Sequence, residues 1–276
     1  MANFSYYESN QDNTTHNLIT PAGPTNYPAH FHKKTEITYM IEGNCQTIIN
    51  NTPYFAEKDD IVFVSAYYPH SYKTSENAKR FILCPTDRIT NDFSSLVDKK
   101  IFRFLLTNKT FNKEKILPVL KTLFEIHEST SYSQNTKWLI SKGYLNIFYG
   151  YLLECYHDCL IERSNQIEML SQILNYIDEH SEEKLTLDSL SKQFGYNKYH
   201  FSKLFNSSVG QNLNNYINGI RIKKFTHEYS KKQDCNIMNL AFNLGFDSMP
   251  SFYRAFKSFY GCTPSEYFTH SNDKKK

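Results

Sequence analysis

The feature that most constrains this chain is an internal repeat in its C-terminal third. When the segment is aligned with itself at a shift of 51 residues, Phe201 matches Phe252. Further upstream the shift is 50, and Gly195 then matches Gly245. The other matched pairs are Leu187 with Ile237, Leu190 with Leu240, Tyr196 with Phe246, Lys203 with Arg254, Phe205 with Phe256, Gly210 with Gly261, and Tyr216 with Tyr267. A self-match at a fixed period indicates a duplicated supersecondary unit.

Each copy has the pattern of two short helices joined by a glycine turn. Gly195 and Gly245 follow the first helix of each pair, where a left-handed backbone is often required. Pro250 falls in the first turn of its helix, where a missing N–H costs no hydrogen bond. The predicted helices are 186–194 and 197–207, then 236–244 and 248–259, which gives helix-turn-helix units at about 186–208 and 236–260.

The second helix of each unit has an apolar stripe and an outward face without acids. The predicted stripes are Phe201, Leu204 and Phe205, and Phe252, Ala255, Phe256 and Phe259. The outward residues are Lys198, Tyr199, Ser202, Lys203 and Asn206, and Met249, Pro250, Ser251, Tyr253, Arg254 and Lys257. A helix that enters the major groove must approach phosphates without repulsion and offer donors to base edges. Two acid-free faces at matching positions therefore favour binding to double-stranded DNA over ordinary solvated surfaces.

Charge and spacing agree with this interpretation. The chain has 31 Lys and Arg against 28 Asp and Glu, a net charge of +3, and the excess lies after residue 164. Residues 197–232 contain seven basic residues and one acid, Glu228. Between the two units, residues 212–229 predict a helix about 27 Å long. Such a spacer suits two recognition helices in successive major-groove segments, about 34 Å apart.

Residues 166–270 closely resemble the DNA-binding domain of the AraC family of transcriptional regulators. The resemblance rests on Leu185-Thr186-Leu187, Gly195-Tyr196, Tyr199-His200-Phe201-Ser202-Lys203-Leu204-Phe205, Gly210, Tyr216-Ile217, Arg221-Ile222, Ile237, Leu240-Ala241, Gly245-Phe246, Ser251-Phe252-Tyr253-Arg254-Ala255-Phe256-Lys257, Gly261 and Pro264-Ser265-Glu266-Tyr267. It implies that DNA contacts come from Tyr199, Ser202 and Lys203 in the first recognition helix, and from Met249, Pro250, Ser251 and Arg254 in the second. Phe225 and Glu228 stand where the family usually has a small residue and Leu, so we expect altered packing of the helix between the units.

The first half of the chain predicts a different architecture. Short strands over 36–41, 45–50, 61–65 and 80–84 indicate an antiparallel β barrel or jelly roll at about 20–90. Residues 91–163 predict helices, most clearly over 137–159. The apolar stripe of that helix could pack on the domain's own core or on a dimer partner. The predicted fold class is α+β, with an N-terminal domain at 1–163 and an all-α DNA-binding domain at 164–276.

The first half also resembles the cupin-like sensor domain of the same family, through His30-Phe31-His32, Glu36, Gly43, Asp60 and Pro69-His70. Three imidazoles and a carboxylate in this order are also the ligands of metal-binding cupins. Asp60 and Thr74 depart from that pattern, which commonly has Gly and Asn there. We therefore predict an effector pocket and no metal, cofactor or catalytic residue. The predicted pocket residues are His30, His32, Glu36, Thr38, Met40 and His70.

Three functional hypotheses follow. The leading one is an effector-responsive transcriptional regulator that forms a homodimer through its N-terminal helices, with RNA polymerase as a further candidate partner. The alternatives are a metal-dependent cupin enzyme with an accessory helical domain, and a DNA-binding protein whose barrel serves only assembly. The polar residues 1–17 and the lack of a run of about 20 apolar residues predict a cytoplasmic protein without a membrane partner. The sequence leaves open the effector, the operator and regulated genes, activation or repression, the oligomeric state, and metal binding by the cluster His30, His32, Glu36 and His70.

Overall fold

Two antiparallel sheets form the framework of the first half. The computed structural model describes residues 6–7, 18–98, 100–107, 113–155, 159–231 and 236–273. Its strands are β1 (Tyr6–Tyr7), β2 (Leu18–Ala22), β3 (Asn26–Phe31), β4 (Glu36–Glu42), β5 (Cys45–Ile49), β6 (Thr52–Ala56), β7 (Ile61–Val64), β8 (His70–Thr74), β9 (Lys79–Cys84), β10 (Ile101–Phe102), β11 (Leu105–Leu106) and β12 (Leu160–Ile161). One sheet has the order β1-β3-β8-β5-β6 and the other β11-β7-β4-β9-β2, while β10 pairs with β12. Within the first sheet, β1 runs parallel to β3.

Strand β4 shows how the sequence divides the interior into two parts. It lies between β7 and β9 and is buried along both faces. Because side chains alternate along a strand, Ile37 and Tyr39 point to one face and Glu36, Thr38 and Met40 to the other. Ile37 and Tyr39 belong to the large apolar core. Glu36 contacts residues of the opposite sheet, so the second face of β4 looks into the space between the sheets.

Three helices cover the outer face of the β4 sheet. They are α1 (Asp87–Leu96), α2 (Lys113–Glu128) and α3 (Gln134–Cys155). Leu145, Phe148 and Leu152 of α3 are fully buried in the core that contains Ile37 and Tyr39. The stripe of the predicted helix 137–159 therefore packs on its own domain. The helix itself ends at Cys155, and residues 156–158 lie outside the described part of the chain.

The second half is helical. Its helices are α4 (Asn165–Glu179), α5 (Leu187–Gln193), α6 (Lys198–Val209), α7 (Leu213–Lys231), α8 (Ile237–Asn243), α9 (Met249–Tyr260) and α10 (Pro264–Asp273). The chain divides into two units, residues 1–168 and 169–276, so α4 begins in one unit and continues in the other. The functional domain boundary at residues 163 and 164 stays a prediction. Over the described ranges, no helix is both long and apolar enough to cross a bilayer.

The predicted α+β class is confirmed, and the repeat forms the four predicted helices. The residue before each of the four helices α5, α6, α8 and α9 caps that helix with its side chain. These capping residues are Thr186, Asn197, Asn236 and Ser248, in that order. Gly195 and Gly245 adopt φ values of +72° and +90°, as their turns require. Pro250 lies in the first turn of α9.

Three details of the sequence interpretation are wrong or incomplete. Phe259 was expected in the core stripe of α9, but it is 41% exposed because its ring lies against Gly219 on the flank of α7. The short strands β10, β11 and β12 occur inside the region predicted as helical. Strands β2, β3, β6 and β8 were not predicted. Pro28 in β3 and Pro53 in the edge strand β6 weaken the strand pattern, and β3 contains an irregularity between Tyr27 and His30.

Candidate nucleic-acid interface and inter-sheet cluster

Helix α6 buries an aromatic face and presents a polar, cationic one. The side chain of Asn197 caps it by accepting a hydrogen bond from the His200 N–H at 2.8 Å. Phe201 and Phe205 are fully buried. The residues predicted to contact DNA all lie outside that core, with Lys198, Tyr199, Lys203 and Asn206 exposed and Ser202 half-buried. The sequence therefore predicted correctly which side of α6 faces solvent.

Helix α9 repeats this arrangement in the second unit of the repeat. Phe252 and Phe256 are fully buried, and the Ser248 hydroxyl accepts a hydrogen bond from the Ser251 N–H. The predicted contact residues again lie outside the core, with Pro250, Tyr253, Arg254 and Lys257 exposed and Met249 and Ser251 half-buried. Lys203 and Arg254, which match in the repeat, thus occupy equivalent exposed positions on α6 and α9.

In the structure an acidic residue of α5 lies beside α6, and the sequence pattern did not predict this contact. The Asp188 carboxylate of α5 lies 2.9 Å from Lys198 Nζ and 3.0 Å from Lys192 Nζ. Hydrogen bonds from these two ammonium groups lower the pKa of Asp188. Lys198 is therefore partly neutralised by its own protein, and the face of α6 is acid-free along the helix but not in three dimensions. No spacing rule indicates this contact, because it depends on the angle between α5 and α6.

Arg221 of α7 joins the two units of the repeat. Its Nε donates a hydrogen bond to the Ser181 carbonyl at 2.6 Å, and its Nη2 donates one to the Glu183 carbonyl at 2.8 Å. Its guanidinium also lies 5.7 Å from the ring centroid of Phe246, in the second unit. A Cβ atom on Gly245 would lie 2.6 Å from the Glu182 carbonyl oxygen and 2.9 Å from Arg221 Nη2. The turn of the second helix-turn-helix therefore packs directly against the segment that precedes the first helix-turn-helix.

Phe225 explains the expected change in packing of the helix between the units. It is fully buried, and its ring centroid lies 4.6 Å from that of Phe252 and 6.1 Å from that of Phe256. The larger side chain thus fills the centre of the core of the second unit. Glu228, the other departure from the family pattern, is exposed on α7.

In the first half, the structure brings His30, His32, Glu36 and His70 into one buried cluster. One donor atom from each residue lies within 4.8 Å of the others. His30 at the end of β3 pairs in register with His70 at the start of β8. Glu36 begins β4 in the opposite sheet, and its Oε2 lies 3.3 Å from His32 Nε2. Its Oε1 accepts a hydrogen bond from the Tyr72 hydroxyl at 2.6 Å and lies 3.9 Å from His70 Nε2.

A backbone carbonyl orients each imidazole of this cluster through Nδ1. The three distances are 3.0 Å from His30 to Pro28, 2.8 Å from His32 to Lys34, and 2.9 Å from His70 to Tyr68. Burial raises the pKa of Glu36, but the hydrogen bond from His32 and the neighbouring imidazoles outweigh it and hold this pKa far below its ordinary value. Burial lowers the pKa of His70 to about 3. The cluster therefore favours a charged Glu36 carboxylate beside a neutral His70 imidazole.

The other predicted pocket residues, Thr38 and Met40, are fully buried on the same face of β4 as Glu36. The sequence interpretation missed Arg80 of β9, which faces the same space. Its guanidinium lies 4.9 Å from the ring centroid of Tyr72. Arg80 is 4% exposed, and its Nε and Nη1 have no hydrogen-bond partner among the described residues. In the sequence, the only indication of this residue's role is that a single Arg stands in a strand of apolar residues.

In comparisons with known proteins, each half of the chain matches a known type of domain. A family model described as a helix-turn-helix domain matches residues 190–270, and one described as an AraC-like ligand-binding domain matches residues 23–98. The HTH-type transcriptional activator AarP of Providencia stuartii is 32% identical over 102 residues, which are 37% of this chain and 75% of that protein. The multiple antibiotic resistance protein MarA of Escherichia coli is 31% identical over 107 residues, which are 38% of this chain and 82% of that protein.

Among solved structures, apo ToxT from Vibrio cholerae, as a point variant, aligns over 93% of this chain and 98% of its own, with 17% identity and a TM-score of 0.47. The family assignment rests on the two domain models and on the relatives of known class. The chain is a DNA-binding transcriptional regulator with a ligand-binding domain, and it belongs to the AraC family.

Proposed function

We propose that α6 and α9 enter two successive segments of the major groove and read a specific operator. The observation that carries this proposal is the equivalent exposure of Lys203 and Arg254 above buried aromatic pairs in both copies of the repeat. Helix α7 has 19 residues and therefore spans about 28 Å, a length that suits a spacer between sites about 34 Å apart. The proposed contact residues are the predicted ones, Lys198, Tyr199, Ser202, Lys203, Asn206, Met249, Pro250, Ser251, Arg254 and Lys257.

Single substitutions Lys203→Ala and Arg254→Ala test this assignment. Operators are first identified by mapping genome occupancy, and affinity is then measured by fluorescence anisotropy over a range of salt concentrations. If a cation contacts a phosphate, its loss weakens binding to all sequences and makes the slope of log affinity against log salt shallower by about one unit. If it contacts a base, its loss relaxes sequence preference at one position.

Lys121→Ala is a matched control, because Lys121 is an exposed lysine on α2 of the first unit. It should leave operator affinity unchanged. Folding of each variant is checked by circular dichroism. Unchanged affinity and salt slope in both folded variants, Lys203→Ala and Arg254→Ala, would remove the assignment of α6 and α9 as recognition helices.

We infer that the first unit binds a small polar effector in the space between its sheets and that this effector changes operator binding. The buried Arg80 guanidinium supports this, because a buried cation without a full set of partners is costly in free energy. An effector with a carboxylate, phosphate or hydroxyl oxygen would supply the missing acceptors. The predicted pocket residues His30, His32, Glu36, Thr38, Met40 and His70 lie in or beside the same space.

A thermal-shift screen of sugars, carboxylates and sugar phosphates tests this inference. Compounds that raise the midpoint for the native chain should lose this effect with Arg80→Gln. Lys79→Gln is the matched control, since Lys79 directly precedes Arg80 in β9 and its exposed ammonium pairs with Glu42. Compounds that change the operator affinity of the native chain but not that of Arg80→Gln support an effector-responsive regulator. Hits that act equally on all three proteins contradict the role of Arg80.

We further propose that the protein activates transcription as a homodimer, that it acts in the cytoplasm without catalytic activity, and that RNA polymerase is its partner. AarP is described as a transcriptional activator, which supports activation. Helix α3 buries one face in the core, yet Leu139 and Ile147 on its other side are 64% and 46% exposed. Exposed apolar side chains beside a buried helix face can mark a protein contact. A second copy of α3 is the proposed cover.

A further inference from the structure

We propose that His30, His32, Glu36 and His70 bind one divalent transition-metal ion of the zinc or ferrous class. This site goes beyond the proposed regulation, because it rests on the geometry of the first unit alone and not on DNA binding. It also revises the prediction from sequence that these residues only line an effector pocket. The proposal rests on donor geometry, on the orientation of the three imidazoles, and on the chemistry of the donor set.

The donor atoms already surround a common centre. For four atoms at the corners of a regular tetrahedron with 4.8 Å edges, the centre lies about 2.9 Å from each, and 4.8 Å is the largest separation in this cluster. Zinc bonds to histidine nitrogen and carboxylate oxygen are about 2.0–2.2 Å long. Each side chain would therefore move inward by less than about 1 Å. The 3.3 Å separation of His32 Nε2 and Glu36 Oε2 already equals that of two ligands in a tetrahedral site with such bonds.

The orientation of the imidazoles provides the strongest argument. A carbonyl oxygen can only accept a hydrogen bond, so Nδ1 carries the proton in each of His30, His32 and His70. In a neutral imidazole with this tautomer, Nε2 is an acceptor with a lone pair. The Nε2 atoms of His32 and His70 lie 3.3 Å and 3.9 Å from the Glu36 carboxylate, and that of His32 is hydrogen-bonded to it. His70 Nε2 makes no hydrogen bond within the described part of the structure. A cation at the centre would bind His70 Nε2 and would replace the proton shared between His32 Nε2 and Glu36.

Backbone anchoring of this kind is also how metal sites hold their histidines. In such sites the nitrogen that does not bind the metal donates to a carbonyl or carboxylate, which fixes the tautomer and ring orientation. All three imidazoles of this cluster share that arrangement. The Tyr72 hydroxyl similarly orients Glu36 through its hydrogen bond to Oε1. The hydrogen bonds therefore set the orientation of the ligands before any ion arrives.

The donor set determines the class of ion. Three imidazole nitrogens and one carboxylate oxygen suit zinc, iron, cobalt or nickel in the divalent state. Calcium and magnesium prefer all-oxygen ligands and usually six or more of them. With four protein ligands, a tetrahedral ion is fully bound by the chain, whereas a five- or six-coordinate ion keeps positions open to the space that Arg80 faces. Cobalt distinguishes these cases, because its visible absorption depends on coordination number.

The test uses the full chain purified without an oligohistidine tag. The protein is stripped with a chelator and then dialysed anaerobically against Zn²⁺, Fe²⁺, Co²⁺ or Mg²⁺, and bound metal is measured by elemental analysis. We expect one equivalent of each transition ion, negligible Mg²⁺, and a cobalt spectrum without thiolate charge-transfer bands. Bound metal should also raise the unfolding midpoint of the first unit, reported by the fluorescence of Trp138, the single Trp of the chain. Substoichiometric metal in the native chain overturns the proposal.

Two variants and one control locate the ion. His70→Gln and Glu36→Gln should each lower metal affinity at least tenfold, because loss of a residue that only orients a ligand already costs about 10–100-fold. His180→Gln is the control, because His180 also directs Nδ1 to a backbone carbonyl, that of Tyr176, but lies outside the cluster. Retained stoichiometric metal in both cluster variants, or thiolate bands with cobalt, would place the ion elsewhere and overturn the proposal.

If His70→Gln fails to fold, the isosteric Glu36→Gln and the native cobalt spectrum still decide the outcome. The same preparations are titrated with operator DNA. Loss of metal with intact operator binding leaves the proposed regulator standing, while stoichiometric metal without any operator leaves only the metal site. The two proposals therefore fail separately.

Discussion

Alanine at two matched glycines should have very different effects. Gly195 and Gly245 occupy equivalent turns of the repeat, and both have positive φ values, +72° and +90°. Alanine in the left-handed region costs about 1–2 kcal/mol, part of which is offset because alanine restricts the unfolded chain. A Cβ on Gly195 meets no atom within 4 Å. We therefore expect Gly195→Ala to reduce the free energy of unfolding by about 1 kcal/mol.

Gly245→Ala carries the same backbone strain and a steric cost in addition. Its Cβ would lie 2.6 Å from a backbone carbonyl oxygen and 2.9–3.0 Å from the Arg221 guanidinium, which is itself held by two hydrogen bonds. Neither neighbour can move freely, so an overpacking cost of about 1–3 kcal/mol is added. The total loss is about 2–4 kcal/mol. For a unit of this size each kcal/mol lowers the midpoint by about 4–8 °C.

Both variants can be studied in the full chain, because the fluorescence of the single Trp reports the first unit alone. Trp138 lies in α3 of the first unit, so its fluorescence should be unaffected by either change. Far-ultraviolet circular dichroism follows the helices of both units, so a transition seen there but not in the Trp138 fluorescence belongs to the second unit. Operator affinity, measured well below both midpoints, should fall more for Gly245→Ala because the second helix-turn-helix must shift relative to the first. Equal midpoints for the two variants, or a matching shift of the Trp138 transition, would refute the steric reasoning.

Three further predictions concern single contacts. Phe225→Ala should lower the free energy of unfolding of the second unit by about 3–5 kcal/mol, because it opens a cavity in a closed aromatic core; denaturant titration checks this, and a comparable loss from Glu228→Ala would contradict it. Asp188→Asn should raise operator affinity at low salt by freeing Lys198, and the gain should shrink as salt is added; an affinity loss would contradict the proposed contact. Ile147→Glu should convert a dimer to a monomer in sedimentation analysis, and an unchanged mass would exclude α3 as the interface.

The DNA-binding unit could be predicted closely because its constraints are local. Glycine turns, capping residues and apolar stripes lie within a few residues of one another, and each of these signals occurs in both copies of the repeat. The prediction failed where a contact depends on how helices cross. Phe259 leaves its stripe because Gly219 on α7 offers an open flank, and Asp188 reaches Lys198 because α5 and α6 meet at a turn. Neither contact follows from periodicity along one helix.

The first unit was predicted less well for a different reason. Strand β8 reads His-Ser-Tyr-Lys-Thr and has no apolar alternation, although His70 and Tyr72 are fully buried. Periodicity arguments assume that buried residues are apolar, and this assumption fails where a strand lines a polar interior. The candidate cluster could be identified from its residue types and order. The carbonyl anchors and the incomplete hydrogen bonding of Arg80 required coordinates.

The two faces of β4 also explain why this interior is better understood as a binding site than as a structural core. Its apolar face shows what the fold needs for stability, since Ile37 and Tyr39 pack into a continuous core with the helices. The opposite face carries Glu36 and meets Arg80 from β9, and burying such charges costs free energy that apolar residues would not. Burial of charged groups on one face of a central strand lowers the stability of the fold. Such departures from the pattern that favours stability commonly occur at functional sites. The polar face is therefore retained for what it binds.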